Sequence, residues 1–294
     1  MRVIERPTWL IARNNHVQIT ESWVADRLRR RSLAQKHPVD DFMFEYYPIS
    51  PKKLQTWHPG IEHTLTVNES DKSYFDDNQY VTNDNQLSVS RAWLLDQIDD
   101  IHETLELLKA TMNRTASHGC FGLHEWAMVL GAQEIRHEQW RLRLSDEQIR
   151  QTIQEVGLKC THFDAFRFFT EEARPLNPLQ LARKNQIQFE QPGCLHANMD
   201  LYKIAHRWSA IVGSPLVRMC FRLAREIRTL DMQSAPYDLE NLGVMPIKLE
   251  TSQGRAEFAK LQKQFSQRAQ LLRENLIMRL ERATLHEQQI SLIL

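Results

Sequence analysis

The sequence predicts a mainly α protein: an irregular helical domain with at most a small β-sheet. Two observations lead there. Only 9 glycines and 11 prolines interrupt 294 residues, which favours long helices over many short, turn-linked strands. Apolar residues also recur at three- and four-residue steps in several windows, the mark of a helix with one buried face.

Taken in order, the first helix is expected over 20–34. The window 88–112 puts Trp93, Leu94, Ile98, Ile101, Leu105 and Leu108 on one stripe, with Ser88 or Ser90 able to cap its start. Helices follow at 145–156, 177–190, 194–211 and 215–230, and the Ser214-Pro215 pair before the last suits a cap and first helical position. At 254–280, Phe258, Leu261, Phe265, Ala269, Leu272, Leu276 and Leu280 share one side, predicting a long amphipathic helix on the domain surface. Strand patterns are few. Residues 62–67 alternate, 158–169 is aromatic-rich with a period near two, and 244–249 carries a proline that would confine it to an edge. Residues 68–86 are polar and turn-forming, and read as an exposed loop or insertion within one globular domain spanning 1–294.

Composition narrows the class. With 42% apolar and 25% charged residues, the chain matches a globular protein and not a disordered one. Lysine plus arginine and aspartate plus glutamate both total 37, which argues against indiscriminate polyanion binding. The distribution is uneven: 201–228 holds Lys203, Arg207, Arg218, Arg222, Arg225 and Arg228 against Glu226 alone. Arg218, Arg222 and Arg225 fall on one helical face, suited to successive phosphates or to pairing with the acids of 68–84 and 96–106. No apolar run is long enough for a membrane span, and the charged N-terminus lacks a signal-peptide pattern, so a cytoplasmic protein is expected. Cys120, Cys160, Cys194 and Cys220 are too widely spaced for a zinc ribbon or redox pair and read as buried thiols.

Three stretches concentrate chemistry-bearing side chains: 119–126 (GCFGLHEW), 162–169 (HFDAFRFF) and 191–203 (QPGCLHANMDLYK). Each joins a histidine and a carboxylate to aromatic or glycine neighbours, as clefts with tuned ionisable groups do. A fourth, 231–239 (DMQSAPYDL), sets two acids around a Pro-Tyr turn. His196 and Asp200, four apart on a helix, share a face and can hold a water or a metal between them. His162 and Asp164 would share a face on a strand. A two-histidine, one-carboxylate site is within reach of these residues, but HExxH does not occur and the ExxH of Glu134 and His137 has no second copy. GxSxG, the P-loop and GxGxxG are also missing. No metal or redox cofactor is therefore expected.

The runs KHPVDDFMFEYY (36–47), WHPG (57–60), GCFGLHEWAMV (119–129), CTHFDAFRFFT (160–170), EQPGCLHANMDLYK (190–203) and LDMQSAPYDL (230–239) resemble a bacterial family commonly labelled 3-methyladenine DNA glycosylase. The resemblance covers about 36–260. It implies an enzyme that flips a modified base from DNA and cleaves its N-glycosidic bond, leaving an abasic site. Such an enzyme needs aromatic surfaces for the base and a carboxylate for the oxocarbenium-like sugar. On that reading Asp164 or Asp200, then Glu125, supplies the carboxylate. Trp126, Tyr202 and Tyr237 offer stacking surfaces, and His124, His162, His196 and Asn198 read base edges. Lys203, Arg218, Arg222 and Arg225 hold the strand, with Arg136 or Arg167 at a phosphate near the flipped nucleotide. An alkylated purine and a bulkier modified pyrimidine, as in modified phage DNA, fit equally. Two alternatives stand beside it: a metal-dependent enzyme on a small molecule, using His196 and Asp200 with His124 or His162, and a non-enzymatic helical nucleic-acid-binding protein.

Overall fold

The computed structural model describes residues 2–133 and 139–291, with side chains described as far as 285. Arg136, one expected phosphate contact, and the Glu134/His137 motif lie outside the described residues. The chain opens with β1 (Arg2–Ile4), α1 (Arg6–Ser32), α2 (Phe42–Glu45) and α3 (Pro51–Gln55). Then come β2 (His63–Thr66), α4 (Glu69–Lys72), β3 (Tyr80–Asn83), β4 (Gln86–Val89), α5 (Arg91–Asp96) and α6 (Ile98–Met112). The short α7 (His124–Ala127), α8 (Asp146–Val156), α9 (Phe163–Phe166) and α10 (Gln186–Phe189) lead into α11 (Leu195–Arg207) and α12 (Ser209–Val212). Two long helices finish it, α13 (Ser214–Ser234) and α14 (Ser252–Ser291). The expected mainly α fold with a small sheet is what forms.

The centre is α11 packed on α13, with α14 against both and α6 packed on α14. Leu201, Tyr202, Phe221, Ile227, Phe258, Leu276 and Leu280 meet there, each almost fully buried. The moderate, sequence-legible amphipathicity of α13 reflects this: Leu216, Cys220, Leu223, Ile227 and Leu230 recur at three- and four-residue steps and all face inward. The last helix is less superficial than its pattern suggests. Its inner face also buries Gln262, Ser266 and Arg273, which the apolar pattern does not mark. Gln262 Nε2 donates to Gly193 O at 2.7 Å, Ser266 Oγ to Pro192 O at 2.8 Å, and Arg273 Nη2 to Asn198 Oδ1 at 2.7 Å. These bonds clamp the turn that starts α11.

A second, smaller core lies under the sheet, whose strand order is β1-β2-β4-β3. β1 runs parallel to β2 and the other pairs are antiparallel. Trp9 of α1 stacks on Trp57 with ring centres 6.0 Å apart, and Phe75 and Tyr80 complete the cluster.

Several expected elements are corrected. The supposed loop 68–86 contributes α4, β3 and the first residue of β4. Asp84 and Asn85, at φ of 45° and 62°, form the two-residue turn between the strands, which Asp and Asn tolerate better than other non-glycine residues. The supposed strand 158–169 contains α9 instead, because Phe163, Phe166 and Phe169 are spaced by three and fit helical turns as well as strand alternation. Residues 244–249 form no strand. Of the expected helix 177–190 only the end forms, as a turn at Arg183–Asn185 and α10; before it, the Asn177 side chain accepts from Cys160 N and donates to Cys160 O, and Asn185 Oδ1 accepts from Ala182 N, so asparagine side chains take the place of helical bonds. The window 88–112 starts in β4 and breaks at Gln97. In the opposite direction, α1 begins well before residue 20. Its first half exposes Ile11, Val17 and Ile19 while burying His16, so it carries no clear apolar stripe.

Candidate functional site

Four elements carry the ionisable residues of the site. α7 is short and enters through two left-handed residues, Phe121 and Gly122, with φ of 47° and 68°. A Cβ at Gly122 would lie 2.8 Å from Ser234 Oγ, so this position combines a left-handed backbone with a close helix contact. The result delivers His124 and Glu125 onto α13, where Arg228 and Asp231 stand three apart. α11 presents His196 and Asp200, and His162 sits at the start of α9. The three stretches singled out in the sequence therefore meet, and the fourth joins them through Asp231.

Within this assembly, buried charge is tightly paired. Arg228 Nη1 donates to Glu125 Oε1 at 2.7 Å and to Asp231 Oδ2 at 2.5 Å, while its Nε donates to Pro38 O. The guanidinium also lies 3.9 Å from the centre of the Phe42 ring. Asp231 Oδ1 faces His124 Nε2 at 3.0 Å. Burial alone would raise the Asp231 carboxyl, but His124 and Arg228 hold it well below the usual range. The His196 ring meets His124 edge-on, with centres 4.3 Å apart, and stacks on His162 at 5.3 Å. Burial and the neighbouring imidazoles keep His196 neutral, far below its ordinary value.

A second pair lies behind. Asp200 accepts from Tyr47 Oη at 2.7 Å, and His162 Nε2 stands 3.3 Å from its other oxygen and 3.7 Å from Glu190. Against the cost of burial, His162, Lys203 and Tyr47 bring Asp200 down to about 2. Conversely, burial favours neutral His162 but Asp200 and Glu190 outweigh it and raise its affinity for a proton. His196 and Asp200 thus do not act as a pair, although four residues apart. Asp200 is taken by His162 and Tyr47, and His196 turns to His124.

One cavity of about 210 Å³ opens beside the first group. Its polar lining includes Glu125, His196, Asp164 and Arg228, with Glu45 and His37 at the wall. Its aromatic lining is Phe42, Tyr46, Trp140 and Phe168. The segment Lys36–Pro38 forms part of the wall, and it is fixed from α1 because Arg27 and Arg30 pair with buried Asp41, whose Oδ2 accepts from His37 N.

The expected site residues divide accordingly. Glu125, Asp164 and His196 line the cavity. His124 touches that group from behind, and Asp200 and His162 lie deeper. Trp126, Tyr202 and Tyr237 do not line it. Trp126 Nε1 donates to Ser234 O, Tyr202 packs between Tyr47 and Phe221, and Tyr237 bridges to Leu142, all almost fully buried. Asn198 is held by Pro192 O and Arg273. His162 and Asp164 do not share a strand face, since both belong to the α9 turn and point to different partners.

The basic face is also redistributed. Arg218 donates to His16, Arg225 to Asp40, and Arg222 stands 3.9 Å from Glu226. By contrast, Arg167, Arg183 and Lys203 surround Asp164 at 3.3, 3.1 and 3.9 Å, each about half or more exposed, beside the cavity. Sequence reasoning missed Arg183, Tyr47, Phe42, Tyr46 and the role of Arg228. The dense aromatics of 42–47 were the available signal. The four cysteines are free, and burial pushes the Cys160 thiol up to about 12 and raises the other three, so none is set up as a thiolate nucleophile.

Compared with protein-family models, characterised proteins and solved structures, the chain finds no match. Fold and site together define a helical protein with an aromatic-walled cavity whose floor joins carboxylates, a neutral imidazole and a buried arginine. Among the described residues no helix is long and apolar enough to cross a membrane.

Proposed function

We propose that the protein is a DNA glycosylase that hydrolyses the N-glycosidic bond of an alkylated or hypermodified base. One observation carries the reading: the cavity combines four aromatic side chains with the carboxylates of Glu45, Glu125 and Asp164 and the imidazoles of His37 and His196, the three kinds of group that base extrusion and glycosidic cleavage require. The family resemblance supports it independently.

In this scheme the extruded base enters between Phe42, Tyr46, Trp140 and Phe168, where a cationic alkylated ring gains from electron-rich faces. His196 offers one ring N–H and one lone pair to a base edge. Glu125, held by Arg228, is the carboxylate that stabilises the developing oxocarbenium ion and orients water. Asp164 is the second carboxylate at the wall, and Arg167, Arg183 and Lys203 around it bind flanking phosphates. Asp200, engaged with Tyr47 and His162, positions α9 against α11 and does not touch the sugar. The setting is the cytoplasm, with DNA as partner.

The test is release of abasic sites from alkylated and from hypermodified DNA by purified protein. Wild type is expected to generate them, and Glu125→Gln, assayed where circular dichroism shows it folded, to slow release by about 10²–10⁴. Absence of abasic sites across both substrate sets, or full activity in Glu125→Gln, refutes the proposal.

A further inference from the structure

Behind the cavity, His124 Nε2 and Asp231 Oδ1 lie 3.0 Å apart, yet they are not aligned for a hydrogen bond. Both atoms are sealed from solvent, and among the described residues neither has another hydrogen-bond partner. Burying a donor or acceptor without a partner costs its full desolvation, which a bound ligand would offset. A ligand nitrogen of His196 completes a set in which all three donor atoms lie within 4.8 Å of one another.

We propose that His124, His196 and Asp231 bind one divalent first-row transition-metal ion. The inference does not rest on the glycosylase reading. Ligand bonds of about 2.1 Å place neighbouring donors about 3.0 Å apart at right angles and about 3.4 Å apart at tetrahedral angles, and the 3.0 Å between His124 Nε2 and Asp231 Oδ1 sits at the short end of that range. Two imidazoles and a carboxylate suit zinc, iron(II), cobalt or manganese, whereas calcium and magnesium favour all-oxygen shells. Arg228 takes Asp231 Oδ2 and leaves Oδ1 for the ion, which is how an outer partner orients a ligating carboxylate. Three protein ligands leave coordination positions for water or substrate, and His196 borders the cavity from which either would arrive. Asp231 thus supplies the carboxylate that the spacing of His196 and Asp200 suggested, because Asp200 is already engaged.

Chelator-treated full-length protein, incubated separately with zinc, cobalt, manganese and, without oxygen, iron(II), then desalted, is expected to retain one ion per chain of at least one metal. Cobalt should give visible d–d bands. Asp231→Asn should weaken binding about tenfold or more, while His102→Gln, at an exposed position on α6, should not. Wild type that retains no ion, or a folded Asp231→Asn that binds as tightly as wild type, overturns the proposal. Should Asp231→Asn fail to fold, zinc-edge anomalous scattering from wild-type crystals decides: a peak among the three side chains supports the site, and no peak there overturns it. These readouts are independent of base release, so failure of the glycosylase assay leaves them intact.

Discussion

Replacement of His16 by glutamine should remove a defined part of the protein's acid sensitivity. His16 is buried in α1, and its two ring nitrogens have fixed roles. Arg218 can only donate, so Nδ1 accepts from it at 2.8 Å, and Nε2 carries the proton directed to Leu54 O at 2.9 Å. Protonating Nδ1 breaks the first bond and sets two cations together. Burial, then the Arg218 charge, lower the His16 pKa from 6.5 to about 4. The folded state therefore refuses a proton that the unfolded chain accepts. The associated stability is complete above about pH 6.5 and declines as pH falls toward 4. From about pH 7.5 to about pH 5, linkage with these two values gives a loss of about 2 kcal/mol from this one residue. Urea unfolding at both pH values, with wild type and His16→Gln, measures it. The variant starts less stable, but its loss between the two pH values should be smaller by about 2 kcal/mol. Equal losses in the two proteins would refute the assignment of a locked neutral His16.

Three further outcomes follow from the same structure. Arg228→Met removes a cation bonded to both Glu125 and Asp231, and should cost about 3–5 kcal/mol in urea unfolding; a cost under about 1 kcal/mol contradicts the buried pairing. Gly122→Ala meets both a left-handed backbone and Ser234 Oγ, so it should lose about 2–4 kcal/mol, whereas Gly157→Ala, with φ of 77° but open space around it, should lose about 1 kcal/mol; similar effects at both sites would argue against the α7–α13 approach. In DNA binding, Arg167→Glu and Arg183→Glu should weaken affinity and flatten its salt dependence, while Arg222→Glu, on the face first suggested by sequence, should change little. The reverse order would move the DNA path to α13.

Helical periodicity made α6, α8, α13 and α14 legible because each buries a regular stripe, whereas α11 is buried on every side from Leu195 to Tyr202. It failed where burial is irregular or polar. His16 and Thr20 occupy inward positions of α1, and Asn177 and Asn185 replace backbone bonds with their own side chains. In the site, local composition located His124, Glu125, Asp164 and His196, since such groups need company within a few residues. Partner choice was not legible. The four-residue spacing of His196 and Asp200 is correct for one helical face, but His162 and Tyr47 arrive from remote segments and claim Asp200. The aromatic walls were misplaced for the same reason: Trp126 and Tyr202 are as aromatic as Phe42 and Phe168, and only packing separates core from cavity.

The clamp that α14 places on the turn before α11 has a consequence for biosynthesis. Every described residue lining the cavity precedes Gln262, Ser266 and Arg273 in the chain, so a ribosome delivers the whole cavity before the side chains that brace Pro192, Gly193 and Asn198. Until then the first turn of α11, carrying His196, lacks these three supports. Docking of the last helix is therefore the step that commits the nascent chain to a finished site.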